Sequence, residues 1–166
     1  KIIHREIEFK NVSFAYPGHE PILIDINMRI PKGNMIAIVG ESGVGKSTLI
    51  DIIMGFHEPT IGQITFDEVQ LKEFDVNSYR QHIGYVPQDS ILFNMTIRDN
   101  LRWANETSTD EEIKLACIQA NAEEFIKGFP EGYDTLVGDR GVRLSGGQIQ
   151  RIALARAILR EPELLI

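Results

Sequence analysis

The chain has 166 residues and a formal net charge of −7, with 43% hydrophobic and 25% charged residues. This composition is typical of a globular domain with one sizeable core. The acidic balance argues against nonspecific binding to nucleic-acid backbones, which depends on clustered Lys and Arg. A single cysteine excludes an internal disulfide, and no apolar run reaches the roughly 20 residues that span a bilayer. We therefore expect this polypeptide itself to be soluble, without nucleic-acid partners.

The first predicted elements are two strands in which apolar and polar residues alternate, at residues 7–14 and 22–30. Together they predict an antiparallel β-layer at the start of the domain. Residues 35–39 are then continuously apolar, which is typical of a strand buried on both faces of a parallel sheet. A helix is predicted from Lys46 to Met54, with Gly55 as its C-terminal cap.

The elements that follow also alternate between strand and helix. Strands are predicted at residues 61–66 and 83–86, with a short helix at 76–82 between them. A further short helix is predicted at 122–127, and a last helix at 147–160 leads to an apolar strand at the end of the chain.

One other helix begins at a capping box, because Thr109 and Glu112 have the Thr-x-x-Glu spacing. Its apolar stripe includes Cys117, which is therefore expected to be a buried thiol without chemistry. The four histidines show no metal-ligand spacing and are expected at the surface: His4, His19, His57 and His82.

The strongest motif is a glycine-rich loop between the apolar run and the first helix. Its residues fit the pattern G-x-x-x-x-G-K-S and comprise Gly40, Glu41, Ser42, Gly43, Val44, Gly45, Lys46 and Ser47. In this pattern successive backbone amides and a helix N-terminus face a phosphate chain. Lys46 reaches the β- and γ-phosphates, and the Ser47 hydroxyl binds Mg²⁺. The loop therefore predicts binding of ATP with Mg²⁺, while Thr48 either adds a phosphate contact or only fills a helical position.

A second glycine motif precedes the last predicted helix, in the order Leu144, Ser145, Gly146, Gly147 and Gln148. One interpretation is local, because Ser145 and Gln148 have the Ser-x-x-Gln spacing of a capping box. Two glycines are unfavourable for that role alone, since each lowers helix propensity by about 1 kcal/mol. The other interpretation is that backbone amides approach a second anion.

The two motifs in this order resemble the Walker A loop and the signature motif of the ABC ATPases, and the likeness runs along the whole chain. The resemblance implies an α/β P-loop NTPase core of the RecA-like kind, with an N-terminal antiparallel β-layer and a helical signature subdomain. The implied divisions are 1–87 for the β-layer and Walker A core, 88–146 for the Q-loop and helical subdomain, and 147–166 for the signature helix and the start of the Walker B strand. ATP hydrolysis coupled to transport across a membrane is the implied activity.

The resemblance also implies roles for individual residues. Tyr16 matches the aromatic residue that stacks on adenine, the alternative being an ordinary core aromatic. Gln88 matches the glutamine that binds Mg²⁺ and positions the attacking water. Ser145, Gly146, Gly147 and Gln148 match the loop that contacts ATP bound to a second such domain, so a head-to-tail dimer is implied.

Two stretches resemble the exporters of this family, Leu92–Leu101 and Gly132–Gly141. They imply transmembrane domains as partners and a position on the cytoplasmic face of a membrane. The second stretch either carries motion towards those domains or is a surface turn with a solvated Asp139–Arg140 pair. Two other functions remain as alternatives, a soluble ABC ATPase and a small-molecule P-loop kinase.

The chain departs from the family's pattern at Walker B. Residues 164–166 resemble the start of that strand, but the Asp and Glu that follow it in the family are absent. The glutamate is the family's general base, and no histidine stands late enough to be the family's switch histidine. We therefore expect the catalytic base to lie beyond Ile166, and we expect these 166 residues alone to be hydrolysis-deficient.

Overall fold

The structure, a computed structural model, describes residues 3–138 and 141–166 of the chain. They group into two units, the first ending at Ile83 and the second beginning at Gly84. Asp139 and Arg140, predicted as part of an exporter-like stretch, lie outside the described residues. None of the helices in the described ranges combines the length and the apolar character needed to cross a membrane.

Apart from the strand predicted at residues 35–39, the predicted elements appear in order, together with a helix at 97–102 and a short strand at 69–70 that were not predicted. The helices are Lys46–Ile53 (α1), Val76–Gln81 (α2), Ile97–Arg102 (α3), Asp110–Gln119 (α4), Glu123–Lys127 (α5) and Gly146–Ile158 (α6). The strands are Glu6–Phe14 (β1), Leu23–Pro31 (β2), Ile61–Phe66 (β3), Val69–Gln70 (β4), Ile83–Gly84 (β5) and Leu164–Leu165 (β6).

A four-stranded sheet organises the first unit, in the order β2-β1-β3-β4, and its neighbouring strands run antiparallel. Side chains alternate along β1, so Ile7 and Phe9 are buried, whereas Glu6, Glu8 and Lys10 are more exposed. Phe9 lies opposite Met28 of β2 on one side and opposite Ile64 of β3 on the other. The predicted antiparallel β-layer is present, and the strand predicted at residues 61–66 belongs to it.

The apolar run at residues 35–39 does not form the predicted buried strand. It has no regular secondary structure, and Met35 is 97% exposed and Val39 87% exposed. A strand inside a parallel sheet is held by hydrogen bonds to neighbours on both edges. Among the residues that the structure describes, no strand pairs with this run. The prediction of a buried strand is therefore wrong for this structure, because the apolar pattern needs neighbours that these residues do not provide.

Helix α1 ends at the predicted glycine. The amide of Phe56 donates to the carbonyl oxygen of Asp51 (2.9 Å), and the amide of Gly55 donates to that of Ile52 (3.0 Å). These are the two hydrogen bonds of a Schellman motif, which requires a left-handed residue after the helix. Gly55 provides it with φ of 71°. The motif turns the chain sharply after α1 and directs it into the segment that contains His57.

The second unit has a helical core to which α3, α4, α5 and α6 all contribute. Its fully buried side chains include Ile97, Leu101, Ile113, Ile126 and Ile152. The predicted capping box forms at α4, where the Thr109 hydroxyl accepts from the Glu112 amide (3.2 Å) and the Glu112 carboxylate accepts from the Thr109 amide (2.8 Å). Cys117 is buried in this core, and burial raises the pKa of its thiol to about 11. A thiol in this state is unreactive at neutral pH, as expected from its place on the apolar stripe.

The second unit also contains a short parallel pairing. The amide of Ile166 donates to the carbonyl oxygen of Gly84 (2.8 Å), and the carbonyl oxygen of Ile166 accepts from the amide of Val86 (2.8 Å). Hydrogen bonds to the two residues that flank Tyr85 are the pattern of parallel strands. The strand pattern at 83–86 and the one at the end of the chain are thus realised as neighbours.

Candidate functional site

The glycine-rich loop forms an open helix N-terminus at the start of α1. Gly45 precedes the helix with φ of 98°, and no side chain caps the first turn. A Cβ atom at Gly45 would lie 3.0 Å from a side-chain carbon of Leu23 and 3.2 Å from the carbonyl oxygen of Ile22, so the position accepts only glycine. Uncapped amides at a helix start carry partial positive charge, which favours an anion there.

Lys46 folds back over the same loop. Its ammonium donates to the carbonyl oxygens of Gly40 (2.9 Å) and Glu41 (2.6 Å). These hydrogen bonds tie the two ends of the loop together and keep the positive charge of Lys46 beside the loop. The neighbouring Ser47 is exposed, so its hydroxyl is free to meet a cation. Amides, one ammonium and one hydroxyl are the donor set that a triphosphate with Mg²⁺ needs, because Mg²⁺ takes few protein ligands and completes its shell with phosphate and water oxygens.

Tyr16 lies close to the glycine-rich loop, next to the first turn of α1. Its hydroxyl oxygen is 3.3 Å from the hydroxyl oxygen of Thr48 on α1, and Thr48 is buried. The Thr48 hydroxyl is thus engaged with Tyr16, whereas both interpretations made from the sequence assigned it no such partner. Tyr16 itself is half-buried, so part of the residue is accessible.

Three rings contact one another around Tyr16, and we name Phe14, Tyr16 and His57 the aromatic trio. The Tyr16 ring stands nearly perpendicular to Phe14 (centroids 4.9 Å apart) and to His57 (5.4 Å), and Phe14 and His57 are 5.2 Å apart. His57 was expected to be a surface residue, but it is half-buried in this trio. Sequence reasoning missed it because β1 and the turn after α1 are distant in the chain. Its only local signal is the helix-terminating glycine two residues earlier.

In the second unit, the signature motif forms the local cap that its spacing allows. The Ser145 hydroxyl accepts from the Gln148 amide (3.3 Å), and the Gln148 side-chain oxygen accepts from the Ser145 amide (2.8 Å). The capping interpretation is therefore confirmed. It does not use the two glycines, which lie exposed at the start of α6. The loop can cap the helix and still present Gly146 and Gly147 to a partner.

Gln88 lies near this motif. Its carbonyl oxygen accepts a long hydrogen bond from the side chain of Gln150 on α6 (3.4 Å). Both Gln88 and Gly147 line one cleft of about 700 Å³, together with Arg151. The structure thus brings Gln88 and the signature loop together in the second unit. It places Tyr16 and the Lys46 loop together in the first.

The two exporter-like stretches are in direct contact, which their separation in the chain did not suggest. The amide of Val137 donates to the carbonyl oxygen of Met95 (3.1 Å), and the amide of Ile97 donates to that of Thr135 (3.1 Å). Arg98 adds a salt bridge to Asp134 (2.9 Å) and another to Asp110 at the start of α4 (2.6 Å). The described parts of both stretches are therefore hydrogen-bonded to each other within the second unit.

Comparison with known proteins gives consistent matches. A family model described as ABC transporter matches residues 23–166. A Staphylococcus aureus protein named for multidrug export as an ATP-binding/permease protein is 50% identical over 161 residues, covering 96% of this chain and 28% of that protein. ABC transporter B family member 1 of Dictyostelium discoideum is 48% identical over 163 residues, covering 97% and 18%. The mitochondrial potassium channel ATP-binding subunit of Xenopus tropicalis is 47% identical over 169 residues, covering 99% and 24%. The chain thus spans less than a third of the length of these relatives.

Proposed function

Because the chain belongs to the ABC transporter family, we propose that it is the ATP-binding motor domain of a membrane exporter. The ATP-binding domains of this family are ATPases, and related proteins carry names that refer to export and to ATP binding. The observation that supports the proposal most is the loop at α1, where an uncapped helix N-terminus and the Lys46 ammonium, which bonds to Gly40 and Glu41, belong to the same glycine-rich loop. Calorimetry of the purified full-length protein with MgATP tests it, and a folded protein that binds no nucleotide would refute it.

Binding replaces contacts that the loop makes with itself. The Lys46 ammonium exchanges its two carbonyl partners, Gly40 and Glu41, for phosphate oxygens, which form stronger charge-assisted hydrogen bonds. The Ser47 hydroxyl would be a ligand of Mg²⁺, which would neutralise phosphate charge. The role proposed for Gln88, binding Mg²⁺ and positioning water, rests on the family resemblance.

We also propose that the signature loop contacts ATP held by a second copy of the domain. The support is that Gly146 and Gly147 are exposed at the N-terminus of α6, a helix of 13 residues without acidic residues in its first turn. Such an end favours an anion through its amides and its dipole. Two copies arranged head to tail each supply the Lys46 loop to one ATP and the signature loop to the other.

Part of the second unit is suited to a membrane-embedded partner. Ile91 is 75% exposed and Trp103 65% exposed, and the Trp103 ring packs at 4.9 Å from that of Phe93. Exposed large apolar side chains in contact mark interaction surfaces. The relative named as an ATP-binding/permease protein combines both parts. We therefore propose that the permease part of the same transporter covers this surface, which places the domain on the cytoplasmic face of a membrane.

The proposed stacking of adenine on Tyr16 leads to a first expected result. Tyr16→Ala should weaken ATP binding by about 1–3 kcal/mol, the usual contribution of base–aromatic stacking. Tyr16→Trp should bind ATP nearly as well as the unaltered protein, because it keeps a stacking face. Isothermal titration of the three proteins measures this. Equal affinities in all three would mean that Tyr16 is only a core aromatic.

A second expected result concerns turnover by these 166 residues in isolation. Glu41 is the one carboxylate among the residues assigned to the site, and the family resemblance does not give it the role of general base, which typically contributes 10²–10⁴-fold to a rate. We expect MgATP to bind without steady release of phosphate. A phosphate-release assay of the folded 166-residue chain checks this, with Lys46→Ala as the control for contaminating ATPases. Steady release that disappears in Lys46→Ala would contradict the expectation.

A further inference from the structure

Helix α1 contributes to both ends of the proposed nucleotide site. At its N-terminus it carries Lys46 and Ser47, to which the proposed function assigns the phosphates and Mg²⁺. One residue later, Thr48 meets the hydroxyl of Tyr16. After its C-terminus, the Schellman turn at Gly55 leads directly to His57, whose ring contacts that of Tyr16. The same helix therefore holds the phosphate loop and two of the groups that surround Tyr16.

The contacts around Tyr16 restrict it from several directions. Phe14 is buried and packs against the Tyr16 ring, and His57 packs against both rings. The backbone next to Tyr16 is also tied to the segment after His57, since the Ala15 amide donates to the hydroxyl of Thr60 (3.0 Å). A half-buried ring with contacts of this kind has lost most of its rotational freedom before any ligand arrives. Ordering a side chain in advance removes that entropic term from binding.

We propose that His57 is a positioning residue for base recognition: it holds Tyr16 in the orientation that receives the adenine ring. This inference rests on the proposed stacking role of Tyr16 and adds the residue that makes it effective. His57 acts through ring packing with Tyr16 and Phe14, and it need not touch the nucleotide. Its effect should therefore be confined to ligands that carry a base.

The experiment compares two ligands on the full-length protein. One is MgATP, and the other is magnesium tripolyphosphate, which offers the phosphate chain without a base. His57→Leu fills a similar volume without an aromatic ring, and His57→Phe restores the ring. We expect His57→Leu to weaken MgATP about three- to tenfold, the range of an aromatic pair contact. Binding of tripolyphosphate should change by less than about twofold, and His57→Phe should recover MgATP affinity.

A double substitution tests whether His57 works through Tyr16. In the Tyr16→Ala background, His57→Leu should cause no further loss of MgATP affinity, because the ring that it positions is absent. Additive losses would overturn the proposal. So would an equal loss for both ligands in His57→Leu, an unchanged affinity for MgATP, or a failure of His57→Phe to restore it.

The controls separate this inference from the function on which it rests. Suppose that Tyr16→Ala weakens the binding of MgATP more than that of tripolyphosphate, but His57→Leu does not. The stacking role of Tyr16 is then supported, and the positioning role of His57 is refuted. If Lys46→Ala leaves the binding of both ligands unchanged, the nucleotide site itself is wrongly placed. Should His57→Leu fail to fold, His57→Gln keeps a polar side chain of similar length without a ring, and the same predictions apply to it.

Discussion

In the full-length protein, Gly146→Asp is expected to lower ATP hydrolysis and transport by about 100-fold or more, while ATP affinity at the Lys46 loop changes little. The reason is electrostatic, because in the proposed dimer a carboxylate at the signature loop would face the γ-phosphate of the ATP that the partner domain holds. Like charges brought together at a closed interface cost several kcal/mol, which corresponds to a loss of that size. Phosphate release and transport into vesicles measure the loss, and calorimetry measures the retained binding.

Steric clash or loss of helix stability at Gly146 would not explain such a result. A Cβ atom at Gly146 would meet no other atom within 4 Å, and Gly146 is the first residue of α6, directly after the Ser145 cap. An acidic residue in the first turn of a helix is stabilising by about 0.3–1 kcal/mol. The matched control is Gly146→Asn, which has the same shape without the charge. If Asn and Asp variants lose hydrolysis equally, or if neither does, charge at the interface is not the cause.

A mixed dimer tests whether Gly146→Asp acts on the ATP site that the loop shares with its partner subunit. One subunit carries Lys46→Ala and the other carries Gly146→Asp, so both lesions fall in the same composite site and the other site stays intact. ATP-driven closure should survive in part in this mixture and should be absent from the Gly146→Asp homodimer. Equal closure in the two would show that the loop does not act across the interface. The capping box between Ser145 and Gln148 would then be its whole function.

Lys46→Ala is expected to weaken MgATP binding between tenfold and a hundredfold. A charge-assisted hydrogen bond to a phosphate contributes about 1.5–3 kcal/mol, which is a factor of this size. The structure adds a second effect in the same direction, because Lys46 also holds the loop through the carbonyl oxygens of Gly40 and Glu41. Without the ammonium, the loop must be ordered by the ligand itself. Calorimetry of the folded protein measures both contributions together.

The control for Lys46 is Lys10→Ala, which removes the same charge from the β-sheet of the same unit. Lys10 is paired with Glu8 at 2.9 Å, and a surface ion pair of this kind contributes little to stability. The affinity of Lys10→Ala for MgATP should match that of the unaltered protein. A comparable loss in both variants would mean that net charge, and not the loop, controls the affinity.

Features that depend on a few neighbouring residues were predictable from the sequence. The helix starts at Ser145 and Thr109 follow from side chains that bond amides three residues away. The end of α1 follows from one glycine that adopts φ above zero. The glycine-rich loop also depends on near neighbours, since Lys46 bonds to carbonyl oxygens five and six residues earlier, but its binding of phosphates stays a prediction. Hydrogen bonds between residues close together in the chain fix their own local geometry, so the sequence alone predicts them.

Features that depend on distant partners were not predictable in the same way. His57 is positioned by ring contacts with Phe14 at the end of β1 and with Tyr16 just after it. No spacing of residues in the sequence indicates these contacts. The pairing of Met95 with Val137 joins two stretches that resemblance identified separately. The wrong prediction has the same origin: the apolar run at 35–39 has the composition of a buried strand, but burial depends on neighbours and not on composition.

The open run at residues 35–39 also bears on how this domain behaves in concentrated solution. Its backbone is unpaired by any described strand, and its side chains are largely exposed. An exposed apolar segment without strand neighbours can serve as a template on which another chain adds a strand, and such additions begin aggregation. The segment lies directly before the glycine-rich loop at residues 40–47, where nucleotide binding is proposed. A substitution that made residues 35–39 polar would improve handling but would remove the apolar character that a buried strand requires.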